Sequence, residues 1–207
     1  MTEGHVPPVK MNKVLNPGRD RSLMADRIMD HAQWLVQTRG YNGFSYAEIA
    51  DELGIRKATI HYYFRTKSDL CVSLLRRYRA GFRGKVASAT EPLASAKARL
   101  ILYISLYQQA LEDGRLCPCG VLTGELESLD PDIRAEVRGF FDEQIAWVEF
   151  QLAEAQRQGD LRVSHPLRQL AASVFGMVEG AMLLARAAGD SGVLSDAIAG
   201  AMAMVFA

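Results

Sequence analysis

The residues best suited to chemistry lie between Ser45 and Lys67. The run Ile55-Arg56-Lys57-Ala58-Thr59-Ile60-His61-Tyr62-Tyr63-Phe64 divides by face at helical spacing. Ile55, Ile60 and Phe64 fall on a side that can pack inward. Arg56, Lys57, Thr59, His61 and Tyr62 offer donors, acceptors and rings on the other, the equipment that reads base edges and grips phosphates. Upstream, Ser45-Tyr46-Ala47-Glu48 forms a capping box that opens a short helix, and Gly54 breaks it. Two short helices joined by a glycine turn cross steeply, so the second can enter a major groove while the first braces it. Lys67 adds a charge at the start of the next helix, where free N–H groups could hold a phosphate. The same spacing also suits an ordinary helical hairpin with polar outer residues.

A second chemical feature is Leu116-Cys117-Pro118-Cys119-Gly120, which follows Asp113-Gly114 at an expected helix start. Thiols at the positive end of a helix lose their protons more readily. A pair at this spacing could sense oxidants or electrophiles or take a thiophilic metal; two small buried residues at a helix junction fit the spacing too. Cys71, between Leu70 and Leu74, reads as packing. Catalytic constellations are missing. His5, His31, His61 and His165 are scattered with no HExxH, and there is no GxSxG, Walker loop or GxGxxG. A zinc site at Cys117 and Cys119 lacks a second ligand pair. The expectation is a protein that is not an enzyme, with no catalytic residues, metal or cofactor.

The elements that must position these residues are helices. The run from Ser22 to Arg39 sets Ile28, Ala32, Leu35 and Val36 at helical spacing and stops at Gly40. Helices follow from Ser45, over Lys57 to Tyr63, and from the capping-box-like Thr66-Lys67-Ser68-Asp69 to about Ala89. Pro92 divides the chain. Behind it, helices are expected over 93–111, 118–128, 131–157, 166–188 and 192–205, two of them announced by Asp130-Pro131 and His165-Pro166. No run alternates with period two, and no internal repeat occurs, so the fold class is all-α.

With 207 residues the chain can bury a substantial core. Its 24 Lys and Arg balance 24 Asp and Glu, which argues against a protein that coats nucleic acid by charge alone. The balance conceals a division: residues 1–85 hold 15 basic against 8 acidic side chains, the remainder 9 against 16. A basic front on an acidic back points to an anionic partner for the front. No signal-peptide core stands at the start, three cysteines make no disulfide framework, and the most apolar run, 171–188, is interrupted by Ser173, Glu179 and Arg186. The expected setting is cytoplasmic, without a membrane partner. Residues 1–20 read as a flexible basic leader, and Lys10, Lys13 and Arg19, with Arg21 just beyond it, could reach a minor groove or remain a solvated tail.

At the helix-turn-helix the sequence resembles the TetR family of bacterial transcriptional regulators. Gly40-Tyr41-Asn42-Gly43-Phe44-Ser45-Tyr46-Ala47-Glu48-Ile49-Ala50 matches its approach to the motif. Gly54 to Phe64, then Thr66-Lys67-Ser68-Asp69-Leu70, is similar to the run that follows. The resemblance covers about 21–81 and implies a DNA-binding domain there, with the helix-turn-helix at about 45–64 and a helical regulatory and dimerisation domain over 82–207. It implies that Arg56, Lys57, Thr59, His61 and Tyr62 face bases or flanking phosphates, and that Ser45, Tyr46, Tyr63 and Lys67 anchor the DNA backbone. Arg56 departs from the family, which often has Ser or Thr capping this helix; the cap is lost and a guanidinium able to read guanine is gained.

The resemblance further implies a ligand-responsive regulator, most often a repressor, whose homodimer binds a double-stranded palindromic operator. The dimer would pair through the last two helices. Independently, Ala171, Ala172, Gly176, Gly180, Ala181 and Ala185, with Ala197, Gly200 and Ala201, permit close helix approach there, in a dimer or within one chain. A small-molecule inducer pocket is implied between head and bundle, with Phe82, Tyr103, Tyr107, Trp147, Phe150, Gln151 and Met177 as candidate lining and plain core as the other reading. A redox or small-molecule sensor of the same fold that reads no operator is the alternative function.

Overall fold

In the computed structural model residues 17–162 and 165–206 are described, with side chains from Ser22 onward. Lys10 and Lys13 lie outside the described residues, and Arg19 and Arg21 outside the described side chains. The described chain forms nine α-helices: α1 Pro17–Arg39, α2 Tyr46–Leu53, α3 Lys57–Tyr63, α4 Lys67–Thr90, α5 Ala96–Glu112, α6 Pro118–Thr123, α7 Pro131–Gln158, α8 Leu167–Ala188 and α9 Gly192–Val205. Helix α1 begins five residues earlier than the apolar spacing indicates, at a proline whose fixed φ suits a first turn. The helix expected over 118–128 is two pieces: α6, then a 3-10 turn at Leu126–Ser128. The only β-type pairing among the described residues is an isolated bridge between Leu161 and Phe206.

In the head, α1, α2, α3 and the first half of α4 close around one apolar nucleus. Ile28, Ala32, Leu35 and Val36 of α1 meet Ile49 and Ala50 of α2, Ile60 of α3, and Leu70, Cys71, Leu74 and Leu75 of α4, all buried. The turn between α2 and α3 depends on Gly54, whose φ of 64° lets its N–H reach the carbonyls of Ala50 and Asp51. Only half of the expected capping box forms at α2. Ser45 Oγ accepts from Glu48 N at 3.3 Å, but the Glu48 carboxylate pairs with Arg39. At α4 the box is complete: Thr66 Oγ1 accepts from Asp69 N and Asp69 Oδ2 from Thr66 N, both at 3.0 Å.

Helix α4 runs on without a break past the expected boundary at 81/82 and becomes a wall of the second layer, against α7 and α5. Helix α7 is packed by α4, α5 and α8, and α9 lies on α8. Helix α8 is long and apolar enough by composition to cross a bilayer, yet it buries Val174, Phe175, Val178, Ala181, Met182 and Ala185 against this bundle.

Three polar contacts tie the head to the bundle. Gln37 Nε2 donates to Leu116 O at 2.9 Å while Leu116 N donates to Gln37 O at 3.3 Å. Asn42 gives both its backbone N–H and its side-chain amide to Glu125 Oε2, at 2.9 and 3.1 Å. From α4, Arg76 and Arg79 share Glu136 of α7, and Arg79 also reaches Glu143. Burial raises the Glu136 carboxyl pKa, but the two guanidiniums outweigh it and hold the group below its ordinary value.

Gly40 sits where α1 gives way to the motif, at φ 81°, and a Cβ there would stand 2.0 Å from Glu125 Oε1. Gly40→Ala therefore meets both a backbone penalty and a displaced carboxylate, and we expect a loss of about 1–3 kcal/mol in urea unfolding. Adding Glu125→Ala should recover part of that loss. Full recovery would mean that the backbone conformation carries no cost.

Candidate functional site

Helix α3 presents the face that the sequence sorts as polar. Arg56, Lys57, His61 and Tyr62 are exposed, Tyr62 by 64%, and Thr59 is half-buried at their edge. Ile60 and Phe64 are buried beneath, with Ile55 packed on the same core. Arg56 occupies the N-cap with extended backbone and makes no side-chain capping bond, so its guanidinium is not spent on its own helix. His61 stands edge-on to Tyr46, ring centroids 4.9 Å apart, with Nδ1 3.1 Å from Arg65 O.

The four anchor candidates divide. Ser45 is exposed at the start of α2 and Tyr63 half-buried, its ring edge-on to Tyr62 at 5.2 Å. Tyr46 and Lys67 turn inward. The Tyr46 hydroxyl donates to Thr66 O at 2.5 Å and lies 3.2 Å from Phe64 O, tying α2 to the loop that ends α3. Lys67 Nζ donates to Phe44 O and sits over the rings of Tyr41 and Phe44, 4.5 and 4.1 Å from their centroids. Burial lowers its pKa, and the same burial raises that of Tyr46. Their polar ends hold the head together, a role that residue types alone did not separate from contact with DNA.

The ligand candidates also divide. Phe82, Tyr103, Tyr107 and Trp147 come together: Phe82 meets Tyr103 at 6.1 Å and Tyr107 at 5.3 Å, and Tyr103 stacks on Trp147 at 4.6 Å. The hydroxyls of Tyr103 and Tyr107 are 3.0 Å apart, and Tyr103 donates to Gln144 Oε1 at 3.2 Å. Gln144, which the sequence did not single out, lines a cleft of about 280 Å³ between α4 and α7 with Phe82, Val86 and Trp147. Gln151 is buried elsewhere on α7 and accepts from Arg99 Nε at 2.7 Å. Met177 is half-buried on α8. Phe150 is turned to the outer face of α7, 59% exposed, because Val148, Gln151 and Leu152 take the inward positions.

The thiol chemistry differs from the expectation. Cys117 and Cys119 are both free and buried. Burial, the hydrogen bond with Cys119 and the nearby Glu179 carboxylate push the Cys117 thiol well above its ordinary pKa, and its bond to the Gly120 backbone opposes this only weakly. The helix-end effect is overwhelmed, and Cys117 stays a protonated thiol. Burial likewise raises Cys71, to about 12.

Glu179 is the group that sequence reasoning missed. It registered only as a break in an apolar run, which was the available signal. Its carboxylate accepts from Cys117, its Oε2 lies where a Cβ on Gly120 would come within 2.4 Å, and its Oε1 is shielded from solvent with no hydrogen-bond partner among the described residues. Burial raises its pKa from 4.5 to about 7, the Cys117 hydrogen bond pulling the other way. An acid whose pKa is raised by folding takes up a proton on folding, so its contribution is complete below about pH 4.5 and is lost as pH rises through about 7. Glu179→Gln copies the protonated form. It should be more stable than the wild type by about 1–3 kcal/mol near pH 8 and nearly equal to it near pH 5, by urea unfolding. Parallel pH profiles for the two proteins would refute this.

Comparison with known proteins supplies the family. Residues 28–74 match the profile described as bacterial regulatory proteins, tetR family, and residues 96–201 match that of the tetracyclin repressor-like C-terminal domain. The chain is 31% identical to a crystal structure of a TetR-family transcriptional regulator from Agrobacterium tumefaciens, covering 90% of this chain and 100% of that one with a TM-score of 0.87. It is 27% identical over 180 residues to an uncharacterized HTH-type transcriptional regulator in the lacX 3' region of Lactococcus lactis, covering 83% and 87% of the two. The transcriptional regulator AcuR of Cereibacter sphaeroides is 27% identical over 171 residues, covering 81% and 78%. With the helix-turn-helix head, its exposed polar face and the helical bundle behind it, these matches place the chain in the TetR family, as a DNA-binding transcriptional regulator.

Proposed function

We propose that the chain is a cytoplasmic repressor that binds a palindromic operator as a homodimer and is released by a small-molecule inducer. The observation that carries this reading is the face of α3, where Arg56, Lys57, His61 and Tyr62 stand exposed on a helix seated by Ile60 and Phe64. In this reading Arg56 donates to O6 and N7 of a guanine, and Lys57, Thr59, His61 and Tyr62 meet neighbouring bases or phosphates. Ser45 and Tyr63 flank the groove, while Tyr46 and Lys67 act by fixing the head.

The dimer would form through α8 and α9. Leu183, Leu184 and Met204 are exposed there by 52–69%, which supports a covering partner of the same kind. A two-fold pair of heads suits half-sites about 34–36 Å apart. The inducer would act through α4, which joins Lys67 at the head to Phe82 at the cleft; operator and inducer then weaken each other by the same factor.

Fluorescence anisotropy on DNA from the upstream intergenic region tests the reading. Tight, salt-sensitive and sequence-selective binding is expected. Arg56→Ala should lose about 1–3 kcal/mol of discrimination at one base pair of each half-site, whereas equal weakening on every sequence would assign Arg56 to phosphate. Leu184→Glu should yield monomers in sedimentation velocity. Binding without sequence preference at any salt would overturn the operator reading in favour of a sensor of the same fold.

A further inference from the structure

An ionised carboxylate shielded from water needs either a proton or a positive charge beside it. Glu179 has Cys117 as its hydrogen-bond donor, and the groups in electrostatic reach of it are neutral: Tyr78 from α4, Tyr103 and Tyr107 from α5, and the thiol of Cys117 at the start of α6. None of these is a cation, and Oε1 points at no donor. Around it the walls are aromatic. Phe175, one turn before Glu179 on α8, meets Tyr107 at 6.4 Å, and Phe82 meets Tyr107 at 5.3 Å. Ring faces of this kind attract cations.

Tyr78 belongs to two places at once. Its hydroxyl feels the charge of Glu179, while its ring, stacked on Phe82 at 5.9 Å, lines a solvent-open cleft between α1, α4 and α5 of about 320 Å³. That volume suits the body of a small organic molecule. A metal ion is a poor fit. Hard cations take several oxygens, and no cluster of three or more His, Cys, Asp or Glu able to hold a metal occurs among the described residues.

We propose that Glu179 and the rings of Tyr78, Phe82, Tyr107 and Phe175 form a recognition subsite for a small organic ammonium ion. Its N–H donates to Glu179 Oε1, and its apolar body lies along Tyr78 and Phe82 toward the cleft. This deepens the inducer reading above and rests on it for the consequence to DNA, but the subsite itself stands or falls on binding to the protein alone.

The test is isothermal titration of the full chain with 2-phenylethylammonium and with 2-phenylethanol, its neutral counterpart. The wild type should bind the ammonium at least about tenfold more tightly than the alcohol, and Glu179→Gln should erase that preference while remaining folded. Gly120→Ala, whose Cβ would displace Oε2, serves as a second variant and should weaken the ammonium with little effect on the alcohol. Equal affinities in the wild type, a preference that survives in Glu179→Gln, or no heat from phenyl-, benzyl- and cyclohexyl-bearing ammonium ions up to about 10 mM would overturn the subsite. Binding as expected, with operator affinity unchanged in parallel anisotropy, would leave the subsite intact and remove the inducer role.

Discussion

A helix of seven residues does not hold its shape in water, because nucleating a turn costs more than so few hydrogen bonds return. Helix α3 is that short, yet it is a complete helix in the fold. Its order is imposed from outside. Ile60 and Phe64 are buried in the head, the Tyr46 hydroxyl ties down the carbonyls that follow α3, and the Thr66–Asp69 capping box fixes the start of α4 immediately beyond. The inward turn of Tyr46 and Lys67 follows from the same need. Their polar ends are worth more as internal braces than as two further contacts to a backbone that many other groups can touch.

Rigidity in the head is useful to a regulator only if something in the bundle can move it as one body. Two helices of the head hold the bundle, α1 through its Gln37–Leu116 pairing and α4, which runs on into the bundle, through its Arg76 and Arg79 pairings. These attachments lie on different sides. The α4 attachment meets α7, and the α1 attachment meets the segment just before Cys117. Glu125 adds a third, to the turn carrying Asn42. The segment 115–128 thus touches the head at both ends while its middle, Cys117 to Gly120, rests on Glu179. A change at Glu179 has a short mechanical path to α1, independent of α4.

The fold was legible from the sequence to the extent that its signals were local. Gly54, Thr66-Lys67-Ser68-Asp69, Asp130-Pro131 and the terminal glycines are self-contained stop and start chemistry, and helices follow them closely. Other boundaries shifted: α1 extends back to Pro17, beyond the reach of the apolar spacing, and the helix after Cys117 ends early, where Gly124 and the Glu125 link to Asn42 turn the chain. The exposed polar face of α3 was legible because amphipathic spacing distinguishes it. The core site was not. Whether Phe150 or Gln144 faces inward depends on which stripe of a 28-residue helix meets α4 and α5, a tertiary fact. The Cys117 thiol was read from its helix end, while burial and an acid from a helix sixty residues away set its protonation.

The fit of Gly120 against Glu179 has a consequence for how this site can change in evolution. A side chain at position 120 would occupy the place of Oε2, so neither position is free to vary while the other is kept. Relatives that share the subsite should hold the glycine and the acid together. Those that have abandoned it should be able to fill position 120 with Ala or larger only where residue 179 has become shorter or apolar. Coupled exchange at these two positions, which stand on α6 and α8 with α7 between them in the chain, would mark the branch of the family that retained the acid.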